Sequence, residues 1–300
     1  MALDAYGNLF IADEYNHRVR KVSTTGIMTT IAGIGPCYSA DGNYIGDGYP
    51  ATEAGLSYPE GLAFDSSGNL FIADSGNDVI RRVGTNGIIS TVAGNNLYDF
   101  AGDGEAATNA SLANPNLFIA EEENNRVREV LTIGVIITVA GDVANSGSPG
   151  GYTGDYVLAI TTSLYYPHSV AADGLGNLFM ADQYNNRIRK IATNGIITTV
   201  AGNGSGNYTG DGGRAIFASL YYPFSVAVDS SGNLLIADFY NNVIRKVDAS
   251  GVITTAAGDG PCCGSLGAFA GDGGAATNAS LNAPFGVAFD ASGDCLIAMR

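Results

Sequence analysis

The sequence has little positive charge. Its 300 residues contain 14 Lys and Arg against 29 Asp and Glu, so the net charge at pH 7 is −15. Because nucleic-acid binding depends on basic side chains that neutralise phosphates, this balance argues against a nucleic-acid partner. Every apolar run falls short of the roughly 18 residues of a membrane-spanning helix. We therefore expect an acidic protein that binds no nucleic acid and inserts into no membrane.

Residues that support catalysis are also scarce. The chain has two histidines, His17 and His168, and neither has a second ligand at metal-site spacing. The sequence contains no Gly-x-Ser-x-Gly elbow and no phosphate-binding loop. Its carboxylates recur with the repeats described below, which favours structural roles over a unique acid–base pair. We predict a protein that is not an enzyme, with no catalytic residue, no metal ligands and no cofactor.

Cysteine is rare and tryptophan is absent. The four cysteines lack metal-site spacing: Cys37, Cys262, Cys263 and Cys295. Cys37 and Cys262 share the motif Gly-x-Gly-Pro-Cys in two copies of one loop. Disulfide bonds in an oxidising compartment and free loop thiols both fit this pattern.

What the sequence has in abundance is repetition. The segment GNLFIAD at 7–13 returns at 68–74, 176–182 and 232–238, and in degraded form at 116–121 and 293–298. A fixed period of this size is typical of solenoids, propellers and other repeat arrays.

Each repeat has the pattern of four short β-strands. In the second copy, the apolar runs 61–65, 69–74, 79–83 and 88–94 are separated by turns rich in Ser, Gly and Asn. Short apolar runs joined by such turns predict antiparallel hairpins. Four strands per repeat with Gly-rich turns is the pattern of a β-propeller blade. We therefore predict an all-β propeller of four-stranded antiparallel blades.

The spacing of the repeats indicates the number of blades. Successive anchors from Asn8 to Asp294 are 61, 47, 61, 56 and 61 positions apart. The value of 47 arises because Pro115 directly precedes Asn116, whereas the other copies place this proline ten positions before the anchor. The third copy thus lacks nine residues and its innermost strand. Restoring them gives an alternation of 61 and 56, which indicates duplication in pairs of blades.

An even number of blades follows from that pairing. We predict six blades with the last one incomplete, and a five-bladed propeller is the alternative. The predicted repeats form one domain, 1–300, and span about 1–57, 58–113, 114–165, 166–221, 222–282 and, in part, 283–300. We expect the chain to be a fragment, or another segment to complete its last blade.

The repeat motif resembles that of a known family. The pattern GNLFIAD-x-x-NN-x-IRKV, followed by a TVAG strand, is similar to the NHL repeat in its bacterial type. The GDGG-x-ATNASL loop at 271–281 belongs to the same resemblance, which covers essentially the whole chain. It implies a propeller, with six blades as the expected number. Members of the family include protein-binding, RNA-binding, sensor and enzymatic domains, so the fold alone does not select a function.

Three columns of polar residues recur in every complete copy. An acid ends the second strand, an Asn follows in the turn, and an Arg returns on the third strand. We predict that acid and Arg pair to fix the hairpin register and that the Asn adopts the left-handed turn conformation; a polyvalent binding stripe is the alternative. The columns are Asp13, Asp74, Glu121, Asp182 and Asp238; Asn16, Asn77, Asn124, Asn185 and Asn241; Arg20, Arg81, Arg128, Arg189 and Arg245.

The long connections between blades are the candidate binding surface, because binding residues often lie on loops of a rigid scaffold. We call them the Gly-Asp-Gly loops, since each contains Gly-Asp followed by Gly, except the third, in which Tyr156 follows. The motif gives Asp47, Asp103, Asp155, Asp211 and Asp272. Calcium is the one cofactor that these carboxylates could attract, although one Asp per loop is not a cation cage. Tyr166 and Tyr222 at the blade entries either pack on the next blade or offer aromatic faces to a glycan or peptide. Four glycosylation sequons lie in the same connections: Asn109, Asn203, Asn207 and Asn278.

Two functional hypotheses follow. The first is a non-enzymatic binding or scaffold propeller, extracellular or at the cell surface, whose inter-blade loops contact a protein, a glycan or copies of the chain itself. The alternative is a metal-dependent lyase or lactonase-like hydrolase with a site on the central axis.

Overall fold

The computed structural model describes residues 1–35, 44–65, 67–99, 101–112, 115–116, 119–131, 133–142, 150–260, 270–290 and 292–299. Cys37, Cys262 and Cys263 lie outside the described residues, as does any disulfide among them, while Cys295 is a free thiol. The chain forms two compact units, Met1–Val139 and Ala140–Arg300.

The first unit contains three antiparallel sheets in sequence order. Short runs rich in apolar and β-branched residues, bounded by Gly turns, explain most of these strands. Sheet 1 consists of β1 (Ala2–Leu3), β2 (Leu9–Asp13), β3 (Arg18–Val22) and β4 (Met28–Ala32). Sheet 2 consists of β5 (Pro59–Phe64), β6 (Leu70–Asp74), β7 (Val79–Val83) and β8 (Ile89–Ala93). Sheet 3 consists of β9 (Pro115–Asn116), β10 (Ala120–Glu121), β11 (Arg126–Val130) and β12 (Ile136–Ala140).

The second unit contains two full sheets and a hairpin. Sheet 4 consists of β13 (Val157–Leu158), β14 (Pro167–Ala172), β15 (Leu178–Asp182), β16 (Arg187–Ile191) and β17 (Ile196–Ala201), with β13 added beside β17. Sheet 5 consists of β18 (Pro223–Val228), β19 (Leu234–Asp238), β20 (Val243–Val247) and β21 (Ile253–Ala257). Sheet 6 consists of β22 (Pro284–Phe289) and β23 (Cys295–Met299).

The all-β, four-stranded prediction is confirmed, but the main prediction of six blades is corrected. Five sheets are complete, in agreement with the alternative, and the sixth is the two-stranded hairpin of β22 and β23.

The third repeat also differs from its prediction, because it keeps an innermost strand. The pair β9–β10 matches Asn116 with Ala120 and Pro115 with Glu121. The anchor segment thus supplies both the first and the second strand, and Ile119 adopts a φ of 43° before β10. A second strand without a neighbour would leave its backbone N–H and C=O groups unpaired, which folding the shortened segment back avoids.

Neighbouring sheets within a unit pack face to face through apolar side chains. Phe10 of sheet 1 shares a cluster with Ile72 of sheet 2. In the second unit, Ile188 of sheet 4 packs in one cluster with Ile236 of sheet 5. Within each unit, sheets therefore bury apolar faces against their neighbours, as expected for a repeat too small to form a core alone.

The described helices are all single turns of 3-10 helix: Glu14–Asn16, Ala51–Glu53, Ser75–Asn77, Ala107–Asn109, Ala159–Thr161, Gln183–Asn185, Ala215–Phe217, Phe239–Asn241 and Ala276–Asn278. Among the described residues, none of these helices has the length or apolar character needed to cross a membrane.

Each sheet has two distinct ends. Because its strands are antiparallel, the entry of the first strand, the turn between the second and third strands and the exit of the fourth strand lie at one end. We call this the loop end, since the long connections between sheets leave and arrive there. The hairpins between the first and second and between the third and fourth strands lie at the opposite end, which we call the turn end.

The connection from sheet 1 to sheet 2 runs along the outer edge of β8 before it turns inward. Ile89 donates its backbone N–H to the Tyr49 carbonyl at 3.1 Å, and Gly48 donates to the Ile89 carbonyl at 2.8 Å. Equivalent bridges join Ala106 to Val135 and Arg214 to Val252, and β13 takes this place in sheet 4. The connections thereby cover edge strands that would otherwise offer unpaired backbone groups.

Candidate functional site

The loop end of sheet 2 is built around a buried arginine. Arg81 has no exposed side-chain surface and lies between two carboxylates, 3.3 Å from Asp74 Oδ2 and 2.7 Å from Asp47 Oδ1. Asp74 ends β6, while Asp47 comes from the connection that precedes the sheet. Arg81 also donates to the carbonyls of Ile45 and Gly55, on the two sides of that connection. One guanidinium thus joins the second strand, the third strand and the incoming loop.

This arrangement recurs in sheets 3, 4 and 5. In each, an Arg with no exposed side-chain surface contacts the acid at the end of the second strand and the Asp of the Gly-Asp-Gly loop. The nearest atom pairs are Arg128 with Glu121 (3.2 Å) and Asp103 (2.6 Å), Arg189 with Asp182 (3.4 Å) and Asp155 (3.1 Å), and Arg245 with Asp238 (3.6 Å) and Asp211 (2.6 Å).

Sheet 1 provides the exception. Arg20 lies 3.9 Å from Asp13, and their side chains are 27% and 30% exposed. No loop carboxylate is described in contact with Arg20. The same pair of residue types is therefore a loose surface pair in sheet 1 and part of a buried network in sheets 2 to 5.

The Asn column holds the buried acids in place. Asn77 donates its side-chain amide to Asp74 Oδ2 at 2.9 Å, and Ser57 donates its backbone N–H to Asp74 Oδ1 at 2.6 Å. The other column members donate in the same way: Asn16 to Asp13, Asn124 to Glu121, Asn185 to Asp182 and Asn241 to Asp238.

The prediction that the Asn column adopts the left-handed conformation is wrong. The residue after each Asn does so instead, as His17, Asp78, Asn125, Asn186 and Asn242, with φ between 51° and 54°. In sheets 1, 2, 4 and 5 the column Asn is the last residue of the short 3-10 turn, where its amide can reach the acid.

Burial dominates the protonation of the four acids in the networks. Desolvation raises the pKa of Asp74 and Asp182 to about 6, and that of Glu121 and Asp238 to about 7. Hydrogen bonds from Asn, backbone and Arg act in the opposite direction. Because these groups are closed from solvent and paired, they are poorly placed to act on a substrate.

The loop aspartates are likewise occupied within the chain. Asp211 Oδ2 accepts hydrogen bonds from the Thr255 backbone N–H at 3.2 Å and from its hydroxyl at 2.7 Å, beside its contact with Arg245. Asp47, Asp103 and Asp155 make the matching contacts with Thr91, Thr138 and Thr199. Asp272 is exposed, and no described ion pair involves it. A calcium ion at any of the first four carboxylates would have to displace an Arg.

A third partner of the buried arginines was missed in the sequence. The Tyr44, Tyr152 and Tyr208 rings lie 5.2, 4.8 and 5.0 Å from the guanidinium carbons of Arg81, Arg189 and Arg245. Each Tyr stands three positions before a loop Asp, and Phe100 and Phe269, outside the described residues, hold the same place in the other two loops. This fixed spacing is the signal that would have found the column. The rings cover the guanidinium, an arrangement favoured by cation–π attraction.

Six tyrosines form a continuous surface at the loop ends of sheets 4 and 5. We call this group the tyrosine ladder: Tyr165, Tyr166, Tyr184, Tyr221, Tyr222 and Tyr240. The ring centroids of successive pairs lie 4.5 Å apart for Tyr166 and Tyr184, 4.8 Å for Tyr184 and Tyr222, and 5.0 Å for Tyr222 and Tyr240. Tyr240 is 52% exposed and Tyr221 is 38% exposed. The ladder is the aromatic surface that Tyr166 and Tyr222 alone had suggested.

Two members of the ladder have unusual backbone conformations. Tyr166 and Tyr222 have φ values of 52° and 54°, although each precedes a proline. A bulky residue rarely adopts this region, and such strain costs about 1–3 kcal/mol. The surrounding contacts enforce the conformation, since the Tyr222 N–H donates to Asn186 Oδ1 at 2.8 Å.

The remaining candidates are less closely tied to the loop ends. His168 packs its ring 3.5 Å from that of Phe224, and desolvation lowers its pKa to about 3. The sequons Asn109, Asn203, Asn207 and Asn278 are exposed. Asn203 alone among them is described donating its side-chain amide, to the Phe217 carbonyl at 3.0 Å and to Ser219.

Comparison with known sequences supports one family. The model of the teneurin NHL domain matches residues 27–111 and 203–262. Teneurin-4 of Mus musculus is 31% identical over 276 residues, an alignment that covers 80% of this chain and 10% of the relative. The chain thus spans about a tenth of the length of the curated relatives it matches.

Comparison with solved structures shows the fold. A streptogramin B lyase structure matches with a TM-score of 0.55 and 15% identity, covering 99% of this chain and 74% of that one. An auxiliary nutrient binding protein from Bacteroides thetaiotaomicron matches with a TM-score of 0.62 and 14% identity, covering 98% and 64%. At such identities these neighbours show the fold alone. Together with the series of four-stranded sheets, they confirm the predicted β-propeller fold.

Proposed function

Because this chain is an NHL-repeat β-propeller, we propose that it is a non-enzymatic binding propeller, placed outside the cell or at its surface. Its loop ends contact a protein, a glycan or another copy of the chain. The observation that carries this proposal is that ionisable and aromatic side chains are placed differently at the loop ends. Repeated ionisable residues are closed into internal networks, whereas tyrosine rings face solvent in sheets 4 and 5.

The charge distribution supports the same proposal. Twelve of the 14 Lys and Arg residues lie in or next to the third strands, and Arg214 and Arg300 are the other two. Arg81, Arg126, Arg128, Arg189 and Arg245 are fully buried there. Five carboxylates are buried as well, so the surface keeps the acidic balance of the whole chain, which disfavours nucleic acid and anionic surfaces as partners.

Binding of multimers to surfaces tests the proposal. Biotinylated chain assembled on streptavidin is added to cultured cells and to matrix-coated plates, because multivalency reveals weak contacts. We expect wild-type multimers to bind and a variant with Tyr184→Ser and Tyr240→Ser to lose at least tenfold of that binding. Tyr6→Ser is the matched control, since Tyr6 is 85% exposed at the turn end of sheet 1.

Two results would contradict this function. One is equal binding by the ladder variant and the wild type. The other is metal-dependent turnover of a lactone or a cyclic depsipeptide above the buffer rate, which would favour the hydrolase or lyase alternative.

A further inference from the structure

We propose that the tyrosine ladder binds an uncharged oligosaccharide, an inference that rests on the proposed binding function and gives it a ligand class. The ladder brings six tyrosine rings together along the loop ends of sheets 4 and 5, and Tyr221 and Tyr240 are its exposed members. Tyrosine combines a large apolar face with a polar tip, so it can contact both the C–H faces and the hydroxyls of a sugar.

The exposed area of the ladder suits a short glycan better than a protein. Two of its rings are 38% and 52% exposed, and the other four are partly buried. With roughly 200 Å² for a whole tyrosine side chain, the ladder presents less than about 500 Å². A stable protein interface buries about 800 Å² on each partner. A ligand a few sugar rings long needs no more than the ladder provides.

The charge of the surface selects an uncharged glycan. The chain carries a net charge of −15, so sulfated and uronic-acid glycans would be repelled. Burial and the neighbouring tyrosines raise the pKa of Tyr222 above its usual value.

The ladder is rigid before any ligand arrives. The Tyr165 and Tyr221 N–H groups donate to the buried Asp182 and Asp238, at 2.8 and 2.7 Å. The Tyr221 ring lies over Gly206, where a Cβ would come within 2.8 Å of it. Groups that are already ordered lose little conformational entropy on binding, which favours affinity for a small ligand.

The fold itself does not require these rings. Gly76 in sheet 2 and Glu123 in sheet 3 occupy the position of Tyr184 and Tyr240 in the turn between second and third strands. Those turns form the same short 3-10 or hydrogen-bonded conformation without an aromatic residue. A polar substitution at Tyr184 or Tyr240 is therefore compatible with folding, which makes the ladder testable.

Tyrosine fluorescence provides a direct assay, because the chain contains no tryptophan. The purified chain is titrated with cellohexaose, xylohexaose and chitohexaose, with a heparin hexasaccharide and a proline-rich peptide as comparison ligands. We expect saturable quenching by at least one uncharged hexaose. Tyr184→Ser and Tyr240→Ser should each weaken it at least fivefold and together abolish it, while Tyr184→Phe keeps most of it.

The controls separate this inference from the function on which it rests. Tyr6→Ser should bind like the wild type, and circular dichroism should show that every variant is folded. If no uncharged hexaose binds, or if the double variant binds equally well, the inference fails. Tighter binding of heparin or of the proline-rich peptide overturns it as well. In each case, ladder-dependent binding of multimers to surfaces would leave the proposed function standing.

Discussion

At the scale of single residues, the main feature is an arginine between two carboxylates. Taking such charges out of water is costly, and the cost is offset only when every group is paired. Sheets 2 to 5 come close to this condition with two acids, loop carbonyls and an Asn for each arginine, as the contacts of Arg81 illustrate. The Nε atoms of Arg81, Arg189 and Arg245 are buried without a hydrogen-bond partner. Removing one charged member of such a network should therefore lower the free energy of unfolding, because its partners stay buried without a counter-charge.

Arg81→Met tests this expectation. The substitution keeps the length of the side chain but leaves Asp74 buried without its cation, so we expect the free energy of unfolding to fall by about 3–5 kcal/mol. Arg20→Met is the matched control, because its pair with Asp13 is exposed and about 3.9 Å long; an exposed pair contributes about 0–1 kcal/mol. Urea unfolding of the two variants measures both values, and similar losses would contradict the buried network.

The pH dependence of stability tests the burial of the acids. Desolvation raises the pKa of Asp182 to about 6, whereas an unfolded chain has the usual value near 4. The folded state therefore holds this proton more tightly, and the resulting stability is complete below about pH 4 and is lost as the pH rises through about 6.

Asp182→Asn cannot titrate and isolates this contribution. Between pH 5 and pH 7 we expect the free energy of unfolding of the wild type to fall relative to that of the variant, by up to about 1.4 kcal/mol per pH unit. Urea titrations at pH 5, 6 and 7 measure the difference. A difference that grows in favour of the wild type would show that pairing with Arg189, rather than burial, sets the pKa.

Sequence reasoning at this scale found one partner of each arginine but not the other. Arg81 and Asp74 lie seven positions apart on paired strands, so their contact follows from the hairpin. Asp47 lies 34 positions before Arg81, and nothing local in the sequence connects them. Only the path of the loop along the next sheet brings that carboxylate to the guanidinium.

At the scale of elements, the connections between sheets hold the outer strands in place. In the connections that precede sheets 2 to 5, the segment around the loop Asp lies beside the fourth strand of the following sheet, as in the contact of Asp211 with Thr255. Stability of the edge should therefore depend on the loop carboxylate as well as on the strand.

Asp211→Asn should weaken the attachment of one connection to the fourth strand of sheet 5. The amide cannot neutralise Arg245, and we expect a loss of about 1–3 kcal/mol together with faster exchange of the Thr255 amide hydrogen. Asp272→Asn changes the same motif in the loop before sheet 6, where no described ion pair exists, and should cost less than about 0.5 kcal/mol. Hydrogen–deuterium exchange and thermal melts measure the exchange rates and the stabilities of both variants. Equal effects would contradict a stabilising role of the Asp211 carboxylate.

The third sheet should be the least protected of the complete sheets. Its first two strands contain two residues each, whereas β14 has six residues and β15 has five. Fewer cross-strand hydrogen bonds mean a smaller free energy for local opening. Exchange followed by mass spectrometry should show faster deuteration of peptides from 119–130 than of peptides from 178–191. Slower exchange in the first set would contradict the description of β9 and β10.

The elements that repeat without change were predictable, and the altered one was not. Apolar runs and Gly turns predicted the strands of sheet 2 to within about two residues, because local pattern and global fold agree there, and sheets 4 and 5 repeat the same pattern. In the third repeat, nine residues are missing and the pattern no longer determines which strand the anchor forms. Pairing of backbone groups decides it, and Pro115 and Asn116 become the inner strand.

At the scale of the whole molecule, composition and fold point to a scaffold that presents surfaces. Five of the 14 basic residues and five of the 29 acidic residues are buried, so the surface carries the net negative charge of the chain. Each repeat buries its faces against its neighbours and leaves its loop end free to vary. The tyrosine ladder of sheets 4 and 5 is such a variation, since sheets 2 and 3 carry Gly76 and Glu123 at the equivalent turns.

Hydroxyl-radical footprinting tests whether the loop ends of sheets 4 and 5 form the binding surface. Multimers of the chain are oxidised while bound to matrix-coated beads and compared with unbound multimers. Radicals oxidise exposed tyrosines, and contact with a partner protects them. We expect protection of Tyr221 and Tyr240 on binding, with unchanged oxidation of Tyr6 at the turn end and of Tyr156, which is 82% exposed. Protection of Tyr6 while the ladder stays fully reactive would contradict this expectation.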